Sequence, residues 1–168
     1  MSNQHRGWEV WLVSADRYHR VLLLHWCQYT GCLSHGPVDA DAIWNAIRKE
    51  EERTDVTEEE GSEGSIEFKF EPFILHLQCR TLEVAKKAHT FSLESGFRNT
   101  GLTVGKAGKL VLAVRSTQGL ELPLSDGCGH ILVSKEYVRI VVATANAKLA
   151  ENEKKHRSLE EKLKTFDL

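Results

Sequence analysis

The sequence predicts an α+β fold: a single domain with a mixed or antiparallel sheet flanked by helices, and not a Rossmann-like one. Three observations carry this. The apparent element order sets short strands apart from long helices instead of alternating them, which argues against a doubly wound sheet. The strands beyond residue 100 are punctuated by glycines at hairpin spacing. No GxGxxG follows any strand. At 168 residues, 41% hydrophobic and 27% charged, the chain has the size and composition of one soluble globular domain.

The elements follow in order. Residues 8–14 and 21–27 read as strands about a polar turn at 15–20. DADAIWNAIRK reads as a short helix capped by Asp39 or Asp41, with Ile43, Trp44 and Ile47 as its apolar stripe. EEERTDVTEEEGSEGS, residues 50–65, is poor in hydrophobics and dense in like charge, and reads as a flexible acidic loop. Residues 66–79 read as a long strand that Pro72 can break. Within it Phe73, Leu75, Leu77 and Cys79 share one face, while Ile74, His76, Gln78 and Arg80 share the other. Thr81 caps a helix running to 94 or 95, with Leu82, Ala85, Ala88 and Leu93 as buried candidates and Gly96 closing it. Strands follow at 101–104, 109–116, 119–124 and 130–133, and Ser134 caps a last helix. Its charged tail from Glu151 is expected to project or fray. The chain thus divides into an N-terminal part (1–49), the acidic loop (50–65), a main part (66–150) and a charged helical tail (151–168).

Charge is unevenly spread. The net of −2 combines −6 over residues 1–70 with +4 over the remainder, and nine acids lie between Glu50 and Glu67. A mildly basic folded part is compatible with a polyanionic partner without requiring one. The acidic run is either a solvated loop or a mimic of nucleic-acid phosphates. The start, MSNQHRGWEV, lacks a secretory pattern, and no run approaches the ~18–20 apolar residues of a membrane span. The expected compartment is the cytoplasm, and the four cysteines are expected to be reduced thiols.

Several constellations can carry chemistry. His25, Cys27, Cys32 and His35 lie within zinc-ligand reach in sequence, but their spacing fits no finger or ribbon; buried thiols and ordinary histidines are expected, with no metal. The face His76, Gln78 and Arg80 is either the solvent side of a half-buried sheet or the floor of a cleft. SGFRNTGLTVGK places Gly96, Gly101 and Gly105 around Arg98, which makes either turns or a backbone cradle with a charged donor. VRSTQGLELPL places Arg115, Ser116 and Glu121 about Gly119, as a surface pair or as substrate contacts. P-loop, GxSxG and HExxH motifs are absent.

The blocks EPFILHLQCR, SGFRNTGLTVGK and AVRSTQGLELPL, in that order and spacing, resemble the tRNA wybutosine-synthesizing protein 3 family. CLSHGPVDADAIWNAI and SKEYVRIVVATANAKLAENEKK resemble the family's flanking segments, so about two thirds of the chain is covered. The resemblance implies S-adenosylmethionine-dependent methylation of an exocyclic nitrogen of the wyosine intermediate beside the anticodon of phenylalanine tRNA. It also implies a non-Rossmann fold, pathway enzymes as further partners, and no membrane. By position it makes His76 and Glu121 candidate bases, and Ser95, Gly96, Phe97, Gly101 and Ser116 candidates for the cofactor. Ser34, His35, Arg80, Arg98 and Arg115 become candidates for tRNA. Phe97 would stack on a base or sit buried. Two departures stand out: residues 1–31 do not match the family's SSCSGR-like motif, and Gln118 stands where the family often has histidine. The alternative expectation is therefore an inactive truncated homologue that binds tRNA or a partner without catalysis.

Overall fold

The computed structural model describes residues 21–25, 33–34, 36–54, 65–126 and 130–165. In chain order the first elements are β1 (Val21–His25), β2 (Leu33–Ser34), α1 (Ala40–Thr54), β3 (Ile66–Phe70) and β4 (Ile74–Cys79). Then come α2 (Leu82–Glu94), β5 (Gly101–Val104), a 3-10 turn (Lys106–Gly108), β6 (Leu110–Arg115), β7 (Leu120–Pro123) and α3 (Lys135–Lys164). Among the described residues every strand pair is antiparallel, in keeping with an α+β fold, and the strands form two sheets. The strand expected at residues 8–14 lies outside the described residues, as do Cys27, Cys32, Cys128 and His35.

The chain separates into two compact units. One, built from Tyr18–Pro72 and Gln118–Ala150, carries the sheet ordered β2-β1-β3-β7. Ile66, Phe68 and Phe70 alternate inward from β3 and meet Ile43 and Ile47 of α1 and Val138, Val142 and Ala145 of α3. Asp39 caps α1, its Oδ1 accepting the Ala42 N–H at 2.9 Å. Asp41 instead meets Lys135 at 2.8 Å and Arg139 at 3.5 Å. The side chain of Asn146 binds both backbone groups of Val38, at 3.0 and 2.9 Å, and so fixes the entry to α1 on α3. α1 runs on to Thr54, past the start expected for the acidic loop, and Arg48 and Glu51 pair one turn apart on it at 2.6 Å.

The other unit, from Phe73–Thr117 and the chain from Glu151 onward, carries the sheet ordered β4-β6-β5. Phe73, Leu77 and Cys79 point into its core with Leu112 and Val114, while Ile74, Gln78 and Arg80 are exposed, as alternation predicts. Cys79 is a free thiol whose burial pushes its pKa up. Thr81 caps α2, its hydroxyl accepting the Val84 N–H.

Several expectations are corrected. The strand expected over 66–79 is broken around Pro72, as that expectation allowed, but its two halves lie in different sheets. Leu82 and Leu93 are 47% and 40% exposed; Ala85, Ala88 and Ser92 hold the buried positions of α2. Residues 130–133 form a single bridge, Ser125 to Ile131, and not a strand. The tail after Glu151 does not project: α3 continues to Lys164 and buries Asn152 and Leu159.

Candidate functional site

The three-stranded sheet turns one face to α2 and the second half of α3, leaving the other for chemistry. In β4 the residues on that other face are Ile74, His76 and Gln78. Register places His76 opposite Ala113 of β6, and Ala113 opposite Gly101 of β5. The half-buried imidazole therefore stands in a row with a methyl group and a bare glycine. A Cβ at Gly101 would meet nothing within 4 Å, so there is open room at the β5 end of that row, while Ala113 in its middle is buried. Gln78 continues the face beside Val111 and Thr103, and Ile74 faces Arg115 across the ladder. Arg115 lies diagonal to His76, a separation of about 7–8 Å that a long side chain spans. Arg80 follows β4 and is exposed. His76, Gly101 and Arg115 are thus gathered on one sheet face.

The loop after α2 behaves differently. The N–H of Gly96 donates to Leu93 O at 3.0 Å and that of Phe97 to Ser92 O at 2.9 Å. With Gly96 at φ +92 this is a Schellman closure, which a residue bearing Cβ adopts only with strain. The Ser95 N–H donates to Phe91 O. At Gly96, then, the turn alternative holds: its N–H and those of Ser95 and Phe97 are committed to ending the helix. Of the two expectations for Phe97 the buried one holds: its ring is 0% exposed and tilts onto Phe73 at 5.2 Å. Arg98 is exposed in the turn that follows.

Ser116 is buried; its N–H donates to Phe73 O at 2.9 Å and its hydroxyl to Asn152 Oδ1 at 2.7 Å. Ser95 accepts from the Ser158 hydroxyl at 3.4 Å, and Lys155 lies over Gly96. The partners of Ser95, Gly96 and Ser116 are thus Ser158, Lys155 and Asn152, one face of α3. Sequence reasoning missed these three. The available signal was the stripe Leu149, Asn152, His156, Leu159 and Leu163 at helical spacing within a charged run.

Two candidates belong to the four-stranded unit. Ser34 Oγ exchanges hydrogen bonds with the backbone of Gly36. Glu121 on β7 pairs with Lys69 at 2.9 Å, and its side chain is 69% exposed. Lys69 also meets Glu67 at 3.0 Å, and its pKa is raised, most by the hydrogen bond to Glu121. Glu121 thus stands in an exposed ion-pair group with Lys69 and Glu67 on β7 and β3. His35 lies outside the described residues. Among the described residues no group of three His, Cys, Asp or Glu side chains is placed to hold a metal ion.

Comparison with known proteins adds the following. The family model described as methyltransferase TYW3 matches residues 28–165. A tRNA wybutosine-synthesizing protein 3 homolog from Xenopus laevis is 53% identical over 92 residues, covering 55% of this chain and 36% of that protein. The homolog from Mus musculus is 49% identical over 123 residues, covering 73% and 43%. This chain therefore spans about two fifths of the length of these curated relatives. The solved structure of the PH1069 protein from Pyrococcus horikoshii superposes with a TM-score of 0.70 at 23% identity, covering 87% of this chain and 71% of that one. At that identity the likeness establishes the fold.

Proposed function

The chain belongs to the methyltransferase TYW3 family, and on that premise we propose that it methylates an exocyclic nitrogen of the wyosine intermediate beside the anticodon of phenylalanine tRNA. The observation that carries this reading is the family match over residues 28–165. The polar sheet face, with His76, Gln78 and Arg115 on it and room above Gly101, supports it. A cytoplasmic setting and association with other enzymes of wybutosine synthesis belong to the same proposal. Among the described residues no helix is long and apolar enough to cross a membrane.

S-adenosylmethionine, when bound, supplies the electrophilic methyl group. The side chains here fit such a ligand pair: exposed guanidinium groups for phosphate or carboxylate, and a half-buried imidazole on the same sheet face as Arg115. In-line displacement from a sulfonium draws most of its acceleration from positioning. His76 takes the proton that the nitrogen releases. Arg80, Arg98 and Arg115 hold tRNA phosphates or the amino-acid side chain of the tricyclic base. Gly101 leaves room over the sheet, and Ser116 offers its oxygen to the cofactor. Ser34 and His35 are assigned to the tRNA.

The test is methyl transfer from labelled S-adenosylmethionine to phenylalanine tRNA carrying the unmethylated intermediate, with calorimetry of cofactor binding alongside. Binding and incorporation are expected; cofactor binding without incorporation contradicts the reading. A second reading, tRNA or partner binding without turnover, is favoured by one observation: Gln118 stands where the family often has histidine. That reading predicts tRNA binding with no incorporation.

A further inference from the structure

We propose that the open edge of β4 pairs with β4 of a second copy of this chain, antiparallel and about a two-fold axis at His76. Two three-stranded sheets then join into one. β4 stands at the end of the order β4-β6-β5, and among the described residues its strand partner is β6 alone. One bond fixes where its backbone groups point. The Ser116 N–H donates to Phe73 O at 2.9 Å, and the register Ile74–Arg115 puts these two residues opposite each other. Phe73 therefore turns its carbonyl to β6, and by alternation Leu75, Leu77 and Cys79 turn their backbone groups the same way. Ile74, His76 and Gln78 direct their N–H and C=O groups away from β6, to the open edge. Edge strands are ordinarily guarded by lysine, proline, a bulge or shortness. β4 runs six residues in unbroken register and carries neither lysine nor proline.

The edge is matched to itself. About an axis at His76, that residue faces its own counterpart, Ile74 faces Gln78, and Leu75 faces Leu77. The outward groups of one copy then meet the outward groups of the other, as an isologous contact requires. A slip of one residue would set outward groups against inward ones and undo the ladder. Leu75 and Leu77 also line an apolar groove of about 310 Å³ beside this edge, with Leu159 and Leu163 of α3. In the pair, the same two leucines of the second copy come in opposite them, at the closely spaced positions of the ladder. Glu160 and Lys164 on the groove are ion-paired at 2.8 Å, so they set no net charge against a second copy. Any extended peptide can take the hydrogen bonds; the match of leucine with leucine about His76 selects this chain. The two His76 residues then stand about 5.5 Å apart at Cα on one continuous face, and the candidate sites of the two copies adjoin. The pairing itself is independent of the chemistry proposed above.

Sedimentation equilibrium of the full chain is expected to show a dimer that dissociates on dilution. Gln78→Pro removes an outward N–H and leaves the ladder to β6 intact. It is expected to be monomeric where the parent is dimeric, while melting like the dilute parent. His76→Cys tests the register, because counterparts about 5.5 Å apart at Cα are within disulfide reach. Mild oxidation is expected to link two chains through position 76, read by mass spectrometry of the joined peptide. Ile74→Cys, whose counterpart is Gln78, is expected not to link. Amide exchange of the parent needs no substitution: the His76 and Gln78 amides are expected to slow as concentration rises, with Leu77 protected throughout. A parent monomeric up to its solubility limit overturns the inference. So does a dimer that survives Gln78→Pro, or one in which His76→Cys and Ile74→Cys link alike or not at all. Protection of His76 and Gln78 that is unchanged by concentration means the chain covers its own edge, and overturns it as well. Should Gln78→Pro fail to fold, the exchange of the parent decides. Methyl transfer is measured separately, so either reading can fail while the other stands.

Discussion

At the scale of single residues, position along a motif and exposure of the side chain part company. Phe97 lies in the middle of a block that resembles the family, yet its ring fills the core against Phe73. Phe97→Ala is therefore expected to destabilise the chain by about 3–5 kcal/mol, read from the denaturant midpoint. Unchanged stability with lost ligand binding would restore the stacking role. His76 and Glu121 were equal candidates by position and separate on geometry, one half-buried on the β4 face and the other paired with Lys69 in solvent. His76→Ala is expected to lower methyl transfer about 100-fold or more, and Glu121→Ala to leave it within a few-fold. Full activity in both variants would remove the base from this chemistry. Alternation made the polar face of β4 legible, since period two follows from the pleat alone. The burial of Asn152 was not legible, because its neighbours Glu151, Glu153 and Lys154 are what a solvated helix carries.

At the scale of elements, caps and turn residues were the reliable signals. Asp39, Thr81 and Ser134 each accept an N–H of the helix they precede, and Gly96 closes α2. These are local chemistry, which three or four residues settle between themselves. What local pattern does not carry is the partner. Ile66–Phe70 and Ile74–Cys79 read as one strand, but β3 pairs with β1 and β7 while β4 pairs with β6. The second half of α3 likewise reads as solvated until the sheet it covers is known. Leu159, 1% exposed within that half, tests the point: Leu159→Ala should cost about 2–5 kcal/mol of stability, where a projecting tail would lose almost nothing. Between α1 and α3, the carboxyl of Asp41 is held below its ordinary value, chiefly by the hydrogen bond from Lys135 and then by its charge. A depressed carboxylate pKa contributes stability above its unfolded value and loses it as pH falls through the folded one. Lys135→Ala should therefore flatten the acid limb of the stability profile below about pH 4 and leave its shape near neutrality unchanged. An acid limb identical to that of the parent would show the pair to be idle.

At the scale of the whole molecule, family and fold rest on independent supports. The match over residues 28–165 establishes the family, and the superposition at TM-score 0.70 establishes the fold. The α+β class was legible because long helices and glycine-punctuated strands do not alternate as a parallel sheet demands. The division into two sheets was not, since pairing across more than forty residues, as between β3 and β7, leaves no local trace. Activity is a further step, because the chain spans 36% to 43% of the relatives that carry the family's name. The most direct measurement is mass spectrometry of nucleosides from phenylalanine tRNA, in cells whose own enzyme is deleted and to which this chain is supplied. Methyl transfer by the chain predicts that the methylated nucleoside returns and the wyosine intermediate falls. Continued accumulation of the unmethylated intermediate, with the chain present and folded, would contradict it.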